Sequence, residues 1–308
     1  MSSDHNPQSP PPNPDAPAPS RIDAPDSATF SLNLDQSQPS ASYPSTATAP
    51  PPLTPAQADV RVPWGWLDIG LFLIFYIVAI LVATVVVMGA SMAALHLSVD
   101  ALKSNTTLVV IMSIIGQALG SLAAMIYLWL MTLARGSRSF WSTMGWHPLS
   151  GSKTELPTVL RYIVFGFFLA LFSSIVSSLA GEPKNVPFNE FLQSRQTIWM
   201  LMAFGILVAP LVEETMFRGF LYPVAARSFG VVWGIIATGI LFGGSHASQL
   251  RGAWAQIAVL MFVGIALTWI RARAHSVFAS FLVHVAYNST LFAALLISTH
   301  GLKVLPQT

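Results

Sequence analysis

Cysteine is absent from the 308-residue sequence, and charged residues make up only 9% of it. The lack of cysteine excludes disulfides, thiolate metal ligands and a cysteine nucleophile, so any metal would have to bind His, Glu, Asp or Asn. Soluble domains carry about 25% charged residues. Because this chain has so few and is 53% hydrophobic, it is predicted to be a membrane protein. Its net charge of +2 is too small to indicate nucleic-acid binding.

The first 62 residues differ in composition from the rest of the chain. They hold most of the 22 prolines and few large apolar side chains. Such a segment cannot bury enough apolar surface to offset its conformational entropy, so residues 1–62 are predicted to form a disordered, Pro-rich cytoplasmic tail. No signal-peptide pattern is recognised there. The tail is expected either to be solvated or to dock a proline-recognising partner.

Residues 63–308 are dominated by apolar runs of about 20 residues, the length that spans a bilayer. The predicted spans lie at about 67–92, 107–134, 159–180, 197–212, 231–249, 253–271 and 277–298. Residues 213–227 either continue the fourth span or begin a separate helix after Pro210. The predicted fold is therefore all-α, a polytopic transmembrane helical bundle of about seven to eight helices.

Basic residues in the loops predict the orientation of the bundle. The loop at 135–161 is the richest in Lys and Arg, and such loops are usually cytoplasmic. Its basic residues are Arg135, Arg138, Lys153 and Arg161. Counting spans backwards places the N-terminal tail in the cytoplasm, and counting forwards places the C-terminus outside if there are seven spans. The predicted localisation is the cell membrane, with several passes.

Two adjacent glutamates, Glu213 and Glu214, end the apolar run of the fourth predicted span. A charge at the centre of a bilayer costs about 2.5–3.5 kcal/mol on insertion scales, so carboxylates kept there point to a function. Arg218 follows Glu214 by four residues, so the two are predicted to share a helix face and pair. Glu213 points about 100° away, where it could address a water molecule. The alternative is an acidic pair that caps a helix N-terminus near Pro210.

Three further polar residues interrupt apolar runs downstream. His246 follows small residues that would let a helix or a substrate approach closely. His284 and Asn288 are four residues apart, so they share a helix face, where they could hold water, bind a metal or donate to an oxyanion. The alternatives are a satisfied core histidine and an interhelical hydrogen-bonded pair. Because polar groups in a bilayer need partners, one shared cavity would satisfy all three segments together.

Three motifs occur in order along the chain. EETMFR at Glu213–Arg218 fits EExxxR, Phe242 with His246 fits FxxxH, and His284 with Asn288 fits HxxxN. Together they resemble the CAAX protease and bacteriocin-processing family (CPBP, also called Abi) of intramembrane endopeptidases. The resemblance implies a hydrolase that cleaves membrane-associated proteins or peptides, as in CAAX-type or bacteriocin-type processing. Its catalytic core would cover about residues 160–298.

The resemblance also implies a role for each motif residue. Glu213 would be the general base that activates water, and His246 would help to position that water. His284 and Asn288 would stabilise the tetrahedral oxyanion. Glu214 and Arg218 would be the supporting pair that shapes the site.

A metal is an open alternative within this resemblance, since members of the family are commonly described as metalloproteases, while a metal-free glutamate mechanism is also argued. Either Glu213, His246 and His284 bind Zn²⁺ with an open fourth position, or the same three position water directly. Other intramembrane protease designs are not indicated, because the sequence has no HExxH, no aspartate pair in its spans and no GxSxG.

Two alternatives of other classes share the same features. One is a non-enzymatic membrane immunity or scaffold protein on a similar helical bundle. The other is a proton-coupled transporter, in which intramembrane Glu and His relay protons. The expected partners are the lipid bilayer and a membrane-associated polypeptide substrate, without nucleic acid. The sequence does not predict the identity of the substrate or the oligomeric state.

Overall fold

The computed structural model of this protein describes residues 60–137, 139–149, 155–181 and 186–306. All of them belong to residues 51–308, one of the two compact units into which the chain divides. The described residues form helices and turns without a strand, which confirms the all-α prediction. The predicted tail up to residue 59 and the loop residues Arg138 and Lys153 lie outside the described residues.

Long helices form where the seven apolar runs were predicted. In chain order they are α1 Trp66–Leu95, α2 Thr106–Ala134, α3 Glu155–Leu179, α4 Arg195–Phe229, α5 Val231–Ser245, α6 Trp254–Ala274 and α7 Val277–Ser298. Short helices at Val99–Lys103, Phe140–Thr143 and Pro187–Leu192 lie in the loops. Among the described residues, six helices (all except α5) are long and apolar enough to cross a membrane. The prediction of a polytopic transmembrane bundle is thereby confirmed.

Helix α5 corrects the span predicted at 231–249. It has 15 residues and is therefore about 22 Å long, shorter than the roughly 30 Å hydrocarbon core of a bilayer. The helix ends at Ser245, and the chain turns back through a loop in which Gly252 has a positive φ of 85°. Helices α5 and α6 then pack as an antiparallel hairpin, because Gly239 lies against Ile265 and Gly243 lies against Met261.

The loops gather at two ends of the bundle. At the first, called the Arg227 end, Arg227 donates hydrogen bonds to the backbone oxygens of Val62 (2.9 Å) and Trp64 (2.7 Å). The loop before α3 meets the start of α7 at the same end, where Val277 N donates to Gly145 O at 2.8 Å. At the second, called the Gln249 end, Phe188 N donates to Gln249 O at 3.1 Å.

Glycines set the closest helix contacts. Gly116 and Gly120 of α2 lie against Thr84 and Ile80 of α1, so closely that a Cβ atom at either glycine would collide with the α1 backbone. Small residues of this kind let membrane helices approach and gain van der Waals contact. The hairpin of α1 and α2 is therefore fixed in register as well as in direction.

Candidate active site

Helix α4 carries the glutamate motif and is irregular around it. The helix continues without a break from Arg195 to Phe229. Residues 213–227 therefore continue the fourth span and do not begin a separate helix after Pro210. Two π-helical segments interrupt it, Phe204–Val208 and Glu214–Leu221. Such bulges are rare and are frequent at functional sites. The second begins at Glu214, so Glu213 and Glu214 stand at the change from α-helix to π-helix.

Pro210 explains the first π-helical segment and the position of Asn288. In this segment Ala209 N donates to Phe204 O, five residues back. The next carbonyl, Gly205 O, would need the N–H of residue 210, which proline lacks. Asn288 supplies the missing donor, because its Nδ2 lies 2.6 Å from Gly205 O. A backbone group in the bundle interior must be satisfied by some partner, and here the partner comes from α7.

Arg218 is fully buried and uses all three of its nitrogen atoms. Nη1 donates to Glu214 Oε1 at 2.9 Å, Nη2 donates to Gly264 O at 2.9 Å, and Nε donates to Thr268 Oγ1 at 3.2 Å. The guanidinium carbon also lies 4.4 Å from the centre of the Phe242 ring, a cation–π contact. The i, i+4 pair predicted from the sequence is therefore confirmed, and α6 supplies its other partners.

His284 lies between the two glutamates. Its Nδ1 is 2.9 Å from Glu214 Oε1, and its Nε2 is 3.7 Å from Glu213 Oε2. An ionised carboxylate can only accept hydrogen bonds, so we assign the Nδ1 proton to the bond with Glu214. This bond fixes the ring, and the opposite nitrogen then faces Glu213.

The two glutamates differ in access to the surroundings, which separates their chemistry. The Glu214 side chain is 0% exposed, whereas that of Glu213 is 25% exposed. Glu214 is committed to Arg218 and His284, and it holds them in place. Glu213 is the carboxylate of the pair that can meet a water molecule or a substrate.

His246 stands at the end of α5, half-buried. Its Nδ1 lies 2.9 Å from Phe242 O, and its ring centre lies 5.1 Å from that of Phe242. The Phe242 ring also lies close to the His284 ring, with ring centres 5.7 Å apart. Phe242 therefore connects the two histidines, and no hydrogen bond joins His246 to Glu213 or His284, all of which are described residues.

The predicted zinc ligands are not grouped as a metal site. No set of three or more His, Asp or Glu residues among the described residues could hold a metal ion. His284 Nδ1 is engaged by Glu214, and His246 Nδ1 faces a backbone oxygen. The Nε2 atoms of both histidines are left for another partner, as in metal sites where the second ring nitrogen donates to a carboxylate or a backbone carbonyl. Because the three residues are not grouped as such a site among the described residues, we derive no step through a metal.

The hydrogen-bond partners of Arg218 on α6 were not predicted from the sequence. Thr268 follows Gly264 by one helical turn. On α6, Arg218 donates to the side-chain hydroxyl of Thr268 and to the backbone oxygen of Gly264. A threonine one turn after a glycine in an apolar helix was the available signal, since it marks a face where another helix approaches closely. It could not have indicated Arg218 as the group that approaches.

A comparison with known families agrees with this geometry. Residues 195–290 match the sequence model of the family described as "Rce1-like: Type II CAAX prenyl endopeptidase Rce1-like". This match confirms the resemblance to the CPBP family over these residues, which include all seven residues of the three motifs. No curated protein and no solved structure matches the chain.

Proposed function

Because residues 195–290 form an Rce1-like domain of the CPBP family, we propose that this protein is an intramembrane endopeptidase. The observation that carries the proposal is the accessible Glu213, which lies beside a histidine held by a fully buried ion pair. A partly accessible carboxylate next to an oriented imidazole is the arrangement that general-base activation of water needs.

In the proposed reaction Glu213 takes a proton from a water molecule, and the oxygen of that water attacks the carbonyl carbon of the peptide bond. The carbonyl oxygen becomes an oxyanion, which donors in the site stabilise. Glu213 then passes the proton to the leaving nitrogen as the C–N bond breaks. The products are a new carboxyl terminus and a new amino terminus, and no other reactant is consumed.

The other motif residues support this step. His284 Nε2 faces Glu213 and, as the unprotonated ring nitrogen, is placed to accept a hydrogen bond from the water. Glu214 and Arg218 act by orienting His284, since neither reaches the accessible side of the site. His246 uses Nδ1 on Phe242 O, which leaves its Nε2 for water, in the role that the family resemblance implies. Asn288 acts first on the backbone of α4.

We further propose that the Arg227 end faces the cytoplasm. Of the described basic residues, those at or near this end are Arg61, Arg135, Arg161, Arg227, Arg271 and Arg273, whereas the Gln249 end has Lys103, Arg195, Arg251 and Lys303. The excess follows the positive-inside rule. The N-terminal tail, which precedes α1, would then be cytoplasmic, and the protein would lie in the cell membrane.

The proposed substrates are polypeptides held at the membrane, either prenylated CAAX-type proteins or bacteriocin-type peptides. A site built at the level of membrane helices favours such substrates, because a bilayer-anchored chain is delivered to the cavity without leaving the lipid. The proposed mechanism uses no zinc.

The proposal is tested by comparing new peptide termini in membranes of cells that express the wild type, Glu213→Gln or Glu190→Gln. Glu190 is an exposed glutamate in the loop before α4, so its variant is the matched control. We expect a set of termini that the wild type and Glu190→Gln share and Glu213→Gln lacks. Identical termini in all three samples, with the three proteins equally folded in detergent, would refute the proposed activity.

A further inference from the structure

Helices α1 and α2, which precede the family-matched residues 195–290, carry polar side chains in their apolar runs. Gln117 Nε2 of α2 donates to Tyr76 Oη of α1 at 3.3 Å, and the buried Ser121 lies one turn after Gln117. Polar groups at this depth of a membrane protein are costly and usually mark a functional cavity.

The packing of α1 on α4 places this cluster at the level of Glu213. Trp66 Nε1 donates to Ser228 Oγ at 2.9 Å, and the ring centres of Phe72 and Phe220 are 5.2 Å apart. The two helices therefore run antiparallel, and each turn forward on α1 meets a turn backward on α4.

One turn beyond Phe72, Tyr76 falls level with Met216, and both side chains pack against the same hydrophobic cluster. Glu213 is three residues before Met216, about one turn deeper along α4, and both side chains are half-buried. The antiparallel packing thus places Tyr76 within about one helical turn of the level of Glu213, across the contact between α1 and α4.

The Tyr76 phenol has one O–H proton that it can donate in a hydrogen bond. Its oxygen accepts the Gln117 amide, so the O–H proton is directed elsewhere. Of the donors expected for an oxyanion, Asn288 gives one N–H to Gly205 O, and His284 gives Nδ1–H to Glu214. The site therefore has room for a further donor opposite Glu213.

We propose that Tyr76 is a catalytic residue supplied by α1, whose O–H donates to the carbonyl oxygen of the scissile peptide as that oxygen becomes an oxyanion. This inference rests on the proposed function. Glu213 takes the proton of the attacking water on one side of the carbonyl, and Tyr76 binds the developing charge on the other. Tyr76 keeps its proton throughout, and Gln117 orients the phenol. The catalytic site thus extends beyond the family-matched residues.

The test uses the full-length protein in liposomes and a synthetic peptide as substrate. The peptide spans a bond that the wild type cleaves and the Glu213→Gln variant does not. Tyr76→Phe removes only the hydroxyl. Tyr127→Phe is the matched control, since Tyr127 packs against the same hydrophobic cluster and its ring stacks on Phe75 with centres 4.7 Å apart. Loss of one oxyanion donor typically costs about 10²–10³-fold in kcat.

We expect Tyr76→Phe to lower kcat by about 100-fold with KM and thermal stability near the wild-type values, and Tyr127→Phe to leave kcat unchanged. A Tyr76→Phe protein with wild-type kcat would overturn the proposal, as would a loss of kcat that Tyr127→Phe reproduces. If no terminus depends on Glu213, the proposed function fails and the role of Tyr76 fails with it. If cleavage depends on Glu213 but Tyr76→Phe has the wild-type kcat, only the role of Tyr76 fails.

Discussion

At the scale of single residues, the two glutamates show that a shift of one position along a helix changes the partners and the accessibility of a carboxylate. Glu214 points into the interface with α6 and α7, where its Oε1 accepts from Arg218 and His284 while its buried Oε2 has no hydrogen-bond partner among the described residues, and Glu213 points to the accessible side. The sequence predicted the Glu214–Arg218 pair, because a spacing of four residues is a local rule of the helix. It could not predict that His284 joins both glutamates, since that contact spans 70 residues of chain.

Asn288 is the residue for which the structure adds a role that the motif does not contain. Its amide satisfies Gly205 O, whose partner in the π-helical register would be the N–H that Pro210 lacks. Replacing Asn288 by Ala leaves a half-buried carbonyl without its donor, and such a loss costs up to about 1–3 kcal/mol. We therefore expect Asn288→Ala to lower the thermal unfolding temperature of the detergent-solubilised protein.

A double-mutant cycle with Pro210→Ala separates this role from oxyanion binding. Residue 210 then has an N–H that can bond to Gly205 O, so the cost of Asn288→Ala should shrink in the Pro210→Ala background. The expected coupling is about 1 kcal/mol. Additive effects of the two changes on stability would show that Asn288 does not serve the backbone of α4. Any loss of activity that persists in a restabilised double variant would measure its separate catalytic part.

At the scale of helices, hydropathy was enough to place the spans, because transfer to a bilayer depends on length and composition. It overestimated α5, since the span was predicted to run to residue 249 although the helix ends at Ser245. The two π-helical segments of α4 were not predictable either. They depend on a proline, on a donor from α7 and on a buried ion pair, all of which act together only in the folded bundle.

The α1–α2 hairpin gives a test of helix packing. Gly116→Ala would place a methyl group against the backbone of Thr84, whereas Gly89→Ala, on α1, meets open space. Overpacking of this kind typically costs about 1–3 kcal/mol, while alanine at an open helical site is favoured over glycine by up to about 1 kcal/mol.

We expect Gly116→Ala to lower the unfolding temperature in detergent and Gly89→Ala to keep or raise it. Because Tyr76 is on α1, Gly116→Ala should also lower peptide cleavage more than its loss of stability explains. Equal unfolding temperatures for the two variants would show that the close approach of α1 and α2 is not required for stability.

At the scale of the whole molecule, the bundle has a family-matched segment, residues 195–290, that carries the glutamates, His246 and His284, and a preceding hairpin that completes one wall. The sequence motifs identified the first, since they are local and ordered. They gave no sign of the second, because Tyr76, Gln117 and Ser121 acquire meaning only when α1 packs antiparallel to α4.

Orientation in the membrane is a property of the whole molecule, and the lack of native cysteine makes it measurable one position at a time. Ser142, in the loop between α2 and α3, is exposed at the Arg227 end, and Ser104, between α1 and α2, is exposed at the Gln249 end. Since basic loops stay in the cytoplasm, a membrane-impermeant thiol reagent added to intact cells should label Ser104→Cys and not Ser142→Cys. Opening the cells should make both react, which controls for accessibility. The reverse pattern on intact cells would invert the bundle and place the N-terminal tail outside.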